Sequence, residues 1–201
     1  FNGERPLPPA VLANIEARYG LDQPYWKQMF DYVVNVVTAF DFGPSFKFRD
    51  QTVNDIIGQG FPVTLTYGLW AFFFAVTLGA ALGVVAAIRQ NTWIDYLAVG
   101  VSVGAQVLPN FVLAPILVLV FTVWLGWLPG GGWNGGQWQF VVLPVVALAT
   151  SYVASIARIM RSSMLEVLNA GFIRTARAKG LPMSRIILRH ALKPALLPLL
   201  S

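Results

Sequence analysis

Polar and apolar positions fall along this chain in long blocks. Charge is absent from Ile56 to Ile88 and again from Tyr96 to Ala157, with only Arg89 and Asp95 charged between the two stretches. A membrane-crossing helix needs about 20 apolar residues, so the first stretch holds one span and the second two. The run Leu128-Pro129-Gly130-Gly131-Gly132-Trp133-Asn134-Gly135-Gly136 cannot continue a helix and divides the second stretch. The pattern predicts spans over 62–88, 97–127 and 139–158. Ala191–Ser201 is apolar again but covers only about half a crossing, the start of another span. The expected fold is therefore all-α: a polytopic transmembrane bundle with three complete spans and part of a fourth. The chain opens on Phe1 with no basic-then-apolar signal segment, so it is expected to be a piece of a longer protein.

Residues 1–60 have a different texture and form a separate segment. Pro8 and Pro9 are placed to start a helix through Val11–Tyr19, which Gly20 ends. Tyr25, Trp26, Met29, Phe30, Val33, Val37 and Phe40 then recur at the three- and four-residue spacing of one helix face. That face is suited to packing on the spans, to lying on a membrane surface, or to meeting an external partner.

Composition sharpens the class. The chain is 56% hydrophobic and 11% charged, against about 25% charged in a soluble domain; polar residues are too few to coat a globule of this size. The distribution of charge sets a direction. Residues 1–60 carry five basic and seven acidic side chains, net −2, whereas 158–193 carry eight basic residues against Glu166, net +7. Basic residues favour the cytoplasmic side, so 1–60 is expected outside and a loop at about 160–190 inside, with 61–201 as the transmembrane domain. Trp124, Trp127, Trp133 and Trp138 at one end, and Trp93 and Tyr96 at the other, suit interfacial belts. With no cysteine, disulfides and thiolate metal sites are excluded.

Several chemistries find no support. The three spans hold no ionisable residue, the usual mark of an ion-coupled transporter. His190 is the lone histidine, and a hydrolytic dyad with Ser151 or Ser155 would need it at mid-span depth with a third group orienting it. The glycines of 130–136 lack the Gly-Lys-Ser/Thr ending of a phosphate cradle and suit a tight turn. Pro109, Pro115 and Pro144 predict kinks in the spans.

The basic block carries the most specific pattern. Met164–Lys179 reads as a short helix with a stripe of Leu165, Leu168, Phe172 and Ala176, ended by Gly180 with Pro182 beyond, and a second helix starts near Ser184. Arg174-Thr175-Ala176-Arg177-Ala178-Lys179-Gly180-Leu181, followed by Arg189-His190-Ala191-Leu192, resembles the signature loop of permease subunits in binding-protein-dependent ABC importers. The general pattern there is Glu-Ala-Ala, three residues, Gly, nine residues, then Ile-x-Leu-Pro. Here Arg174 replaces the Glu, and the final Leu-Pro is absent, departures shared with the peptide-importer branch. Asp41-Phe42-Gly43-Pro44-Ser45, Arg89–Tyr96 and Leu128–Gly136 also resemble the B-type permeases of oligopeptide importers, and dipeptide, nickel and glutathione permeases share much of this.

The resemblance implies a type I importer permease in the bacterial inner membrane, without a catalytic site of its own. Its implied partners are a second, similar permease, two cytoplasmic ATPase subunits that bind ATP and magnesium, and an external peptide-binding protein, besides membrane lipid; no nucleic acid is implied. Leu168, Phe172, Arg174, Thr175, Ala176, Gly180 and Leu181 are the residues expected to couple the spans to an ATPase groove. No cofactor is expected in this chain.

Overall fold

The computed structural model describes residues 23–45, 47–48 and 51–199. Among them every element is helical, apart from an isolated bridge between Pro44 and Thr52. The chain divides into two compact units, Phe1–Pro62 and Val63–Ser201.

In the first unit, α1 spans Tyr25–Ala39 and stops where Phe40 turns left-handed at φ 51°. Tyr25, Trp26, Met29, Phe30, Val33, Val37 and Phe40 are all exposed. The helix expected over Val11–Tyr19 lies outside the described residues. After α1 the chain folds back on itself: Asn54 Nδ2 donates to the Phe40 carbonyl (2.6 Å) while its Oδ1 accepts from the Phe42 N–H (2.8 Å). Thr52 and Asp55 then cap the next helix reciprocally. Thr52 Oγ1 accepts from the Asp55 N–H (3.1 Å), and Asp55 Oδ2 accepts from the Thr52 N–H (2.9 Å), which satisfies two donors that a helix start would otherwise leave open.

That helix, α2, runs Val53–Ile88. In the second unit it buries a small-residue ridge of Ala71, Ala75, Gly79, Gly83 and Ala87, one every four residues. The ridge packs on α5, Trp138–Leu168. A Cβ added at Gly79 would lie 2.8 Å from the Ile156 Cβ, and one at Gly83 2.7 Å from the Met160 Cβ while overlapping the Ala157 carbonyl. Only residues without a side chain permit this approach, the usual way membrane helices gain contact in the absence of a hydrophobic drive.

Two helices, α2 and α5, are each long and apolar enough to cross a membrane. The single span expected over 97–127 is instead a bent pair: α3 (Trp93–Val107) and α4 (Asn110–Val118, continued by a π-helical turn Leu119–Trp124) meet at 102°. Pro109 has no N–H to give and restricts the residue before it; Leu108 accordingly sits extended at φ −78°, ψ 111°. Pro62 and Pro144, by contrast, lie inside continuous helices. The crossings are therefore three only when the bent pair counts as one.

The glycine-rich connection from α4 to α5 is pinned, since Trp133 meets Tyr67 of α2 edge-on with ring centroids 5.5 Å apart. Gly132, Gly135 and Gly136 adopt φ 99°, 67° and 80° there, which a Cβ would oppose. Beyond this turn α5 continues ten residues past the expected end at 158, carrying Arg158 and Arg161 out of the apolar stretch. At 31 residues it measures about 46 Å, well over the ~30 Å of bilayer hydrocarbon.

Candidate coupling site

The basic end of the bundle begins where α5 stops. Asn169 closes α5 by donating from Nδ2 to the Leu165 carbonyl (2.9 Å), and Ala170 is extended at φ −68°, ψ 152°. This break separates what the sequence reads as one helix from Met164 to Lys179. Residues 164–168 belong to the end of α5, and a new helix, α6, covers Gly171–Ala178.

Gly180 ends α6 as expected. It is left-handed at φ 72°; its N–H donates to the Arg177 carbonyl (2.9 Å), and the Leu181 N–H reaches back to the Ala176 carbonyl (3.3 Å). Those two bonds form a Schellman cap, which satisfies carbonyls at the helix end. Pro182 follows, and then α7: Met183–Arg185, a π-helical turn Ile186–Ala191, and Leu192–Ala195. Pro194 in the last piece withholds one backbone donor, and the wider π winding just before it accommodates the gap.

The break alters the helical phase and with it the expected stripe. Leu168, Ile173 and Ala176 are buried in one cluster with Met160, Met164, Ile186, Ala191 and Ala195, and Leu181 packs against that cluster. Leu168 and Ala176 therefore do not share an outward face with Phe172, as the spacing suggested; they face this chain's own core. Phe172, Arg174, Thr175 and Gly180 are exposed. Around the α6–α7 corner Phe172, Met183 and Leu188 are exposed, as are the cations Arg174, Arg177, Lys179, Arg185, Arg189 and Lys193. Ile173, wholly buried, was missed because a continuous helix places it off the stripe.

A second feature escaped the sequence reading. The Arg161 guanidinium on α5 grips Asp95, in the first turn of α3, through Nε to Oδ1 (2.5 Å) and Nη2 to Oδ2 (2.7 Å). The Asn91 N–H adds a third bond to Asp95 (3.0 Å), made possible by a left-handed Asn91 at φ 62°. The Asp95 side chain is 2% exposed and that of Arg161 26%. A bidentate pair of this kind fixes orientation as well as charge, and it ties the α2–α3 turn to the stretch of α5 that leads into the α6–α7 corner. The available signal was that Asp95 is the lone acid between Asp55 and Glu166, and a buried carboxylate needs a cation.

His190 lies on α7, beyond the end of α5, while Ser151 donates to Asn110 Oδ1 (3.0 Å) near the middle of α5. The serine is engaged elsewhere, and the two do not form a dyad. Between α2, α3 and α5 an apolar groove of about 620 Å³ is lined by Leu78, Leu82, Ala98, Val101, Val145 and Ala149 among others.

Comparison with known proteins gives this arrangement its family. Residues 79–201 match the model of the binding-protein-dependent transport system inner membrane component. The chain belongs to that family. As an inner-membrane component it is 59% identical over all 201 residues to the oligopeptide transport system permease protein OppB of Escherichia coli K12, covering 65% of that protein. It is 45% identical over 201 residues to the dipeptide permease DppB of Bacillus subtilis, covering 64% of it, and 37% identical over 191 residues to the glutathione permease GsiC of E. coli O1:K1, covering 61%. The chain thus spans slightly less than two thirds of the relatives it matches. The departures from the general signature in this chain, Arg174 above all, lie within the matched region.

Proposed function

We propose that this chain is the larger part of a permease subunit in an ATP-driven importer that moves oligopeptides delivered by an external binding protein. The gradient of identity carries this reading: 59% to an oligopeptide permease over the entire chain, against 45% and 37% to dipeptide and glutathione permeases. The subunit itself is non-catalytic. A second permease, two ATPase subunits and the binding protein complete the machine, and ATP is bound and hydrolysed on the ATPases.

The α6–α7 corner is the coupling element. Phe172 supplies an apolar knob within a positive rim, the chemistry of a short helix that lies in a partner's groove, with Arg174 and Thr175 beside it. Leu168, Ala176 and Leu181 act from beneath, anchoring α6 to α5 and α7, and Gly180 fixes where α6 stops. Movement imposed on α6 then passes as a rigid unit into α5. The Asp95–Arg161 pair extends that unit to the α2–α3 turn.

The test uses the full-length subunit assembled with its partners in proteoliposomes. Labelled oligopeptide should enter on ATP alone, with no ion gradient. Uptake that persists without nucleotide and collapses with a protonophore would overturn the proposal in favour of ion coupling.

A further inference from the structure

The helix α1, Tyr25–Ala39, divides into two faces. At about 100° per residue, Tyr25, Trp26, Met29, Phe30, Val33 and Val37 fall within an arc of about 140°. Lys27, Gln28, Asp31, Asn35 and Thr38 occupy the opposite side. On the apolar arc, Trp26, Met29, Phe30 and Val33 frame an open cleft of about 430 Å³.

The residue types on the arc decide what it suits. A helix that packs on another within a membrane approaches through small residues, as α2 does through Ala71, Ala75, Gly79 and Gly83. The α1 arc has no glycine, alanine or serine, and α1 as a whole has no leucine or isoleucine. Its largest side chains are the rings of Tyr25, Trp26 and Phe30. Tyrosine and tryptophan gather where an apolar body can sit in hydrocarbon and a polar tip in water. The opposite face carries one cation and one anion, Lys27 and Asp31, so α1 is neutral overall.

Hydrogen bonds fix where α1 ends. Asn54 donates to the Phe40 carbonyl and accepts from the Phe42 N–H. The Val53 N–H donates to the Gly43 carbonyl (2.9 Å), and the Ser45 N–H to the Gln51 carbonyl (3.1 Å). The end of α1 is thereby fastened to the first turn of α2. The charge-free stretch of α2 begins at Ile56, two residues past Asn54 and about 3 Å along the helix. Phe40 is held at the level where α2 enters the membrane.

We propose that α1 lies in the plane of the bilayer surface, its apolar arc in the boundary between headgroups and acyl chains, and moors the entry of α2. The occupant of the arc is lipid. A neutral helix takes it up through apolar and aromatic contact, without attraction to anionic headgroups. The inference needs the membrane location alone and holds for any cargo.

The experiment places single nitroxide-labelled cysteines at Met29, Phe30, Val33, Asp31 or Asn35 of the full-length permease. The protein is freed of any other cysteine and assembled with its partners in phosphatidylcholine bilayers. Collisions with oxygen, which concentrates in lipid, should exceed those with a water-soluble nickel chelate at Met29, Phe30 and Val33. The order should reverse at Asp31 and Asn35, and both results should persist when half the lipid is phosphatidylglycerol. Access of the chelate to both faces would place α1 in water. Exclusion of both reagents from Met29, Phe30 and Val33 would place the arc against a span or a partner subunit. An oxygen preference that appears only with phosphatidylglycerol would show that charge holds the helix. Each of these three results would overturn the inference. If a variant does not assemble, Trp26 or Val37 replaces it on the apolar arc, and Gln28 or Thr38 on the polar one.

Discussion

Removing both members of the Asp95–Arg161 pair should damage the protein less than the sum of removing each alone. Arg161→Ala leaves the Asp95 carboxylate, 2% exposed, with one remaining donor, the Asn91 N–H. Breaking a buried pair from one side costs about 3–5 kcal/mol. Arg161 is a quarter exposed, so water partly replaces it and about 2–3 kcal/mol is expected here. Asp95→Ala leaves a cation that can turn toward solvent, and about 1–2 kcal/mol is expected. If the two side chains act on each other, Asp95→Ala/Arg161→Ala falls short of the sum by at least about 1 kcal/mol. Thermal unfolding of the detergent-solubilised full-length protein, run as a four-member cycle, measures this. Strict additivity would show that the pair is an incidental surface contact and that the α2–α3 turn is not tied to α5.

Three further outcomes follow from the packing and the charges. Gly83→Ala, whose methyl would overlap the Ala157 carbonyl on α5, should destabilise the protein by about 1–3 kcal/mol through overpacking, and an unchanged melting temperature would deny the close approach of α2 and α5. At Gly180 a Cβ would meet no neighbour, so the main cost of Gly180→Val is the left-handed backbone, about 1–2 kcal/mol; Gly180→Asn should recover most of it, and equal behaviour of the two would mean the Schellman cap is not what ends α6. A cysteine at Asn134 should be labelled by an impermeant thiol reagent in intact spheroplasts while one at Asn169 is not, and the reverse pattern would invert the topology drawn from the charge blocks.

Much of the fold is legible in the chain because it depends on local rules. The absence of charge from Ile56 to Ile88 exposes a membrane helix directly, and Gly180 before Pro182 announces a helix end that the backbone then makes. The bend at Pro109 is a different matter. A proline shows that one donor is missing, and Pro62, Pro109 and Pro144 all share that property; whether the chain bends depends on what lies nearby. At Pro109 the Leu108 backbone goes extended and Asn110 finds Ser151, 41 positions away, a contact no local pattern contains. The α6–α7 corner divides likewise. Spacing revealed an apolar stripe, but the break at Asn169–Ala170 shifts the phase, so Leu168, Ile173 and Ala176 turn inward while Phe172 is left outside. Ala176→Asp would bury a charge in this chain's own core and so does not probe a partner contact.

Phe172 is the cleaner probe, since it is 51% exposed and outside the buried cluster. The decisive measurement is peptide-stimulated ATP hydrolysis and peptide uptake by the complete importer carrying Phe172→Asp, compared with the parent at equal abundance of assembled permease. Both rates should fall together, by roughly tenfold or more for an unpaired charge forced into an apolar contact, while the external binding protein still docks. Uptake and hydrolysis at parental levels per complex would contradict the assignment of α6 as the element that takes up the movement of the ATPases.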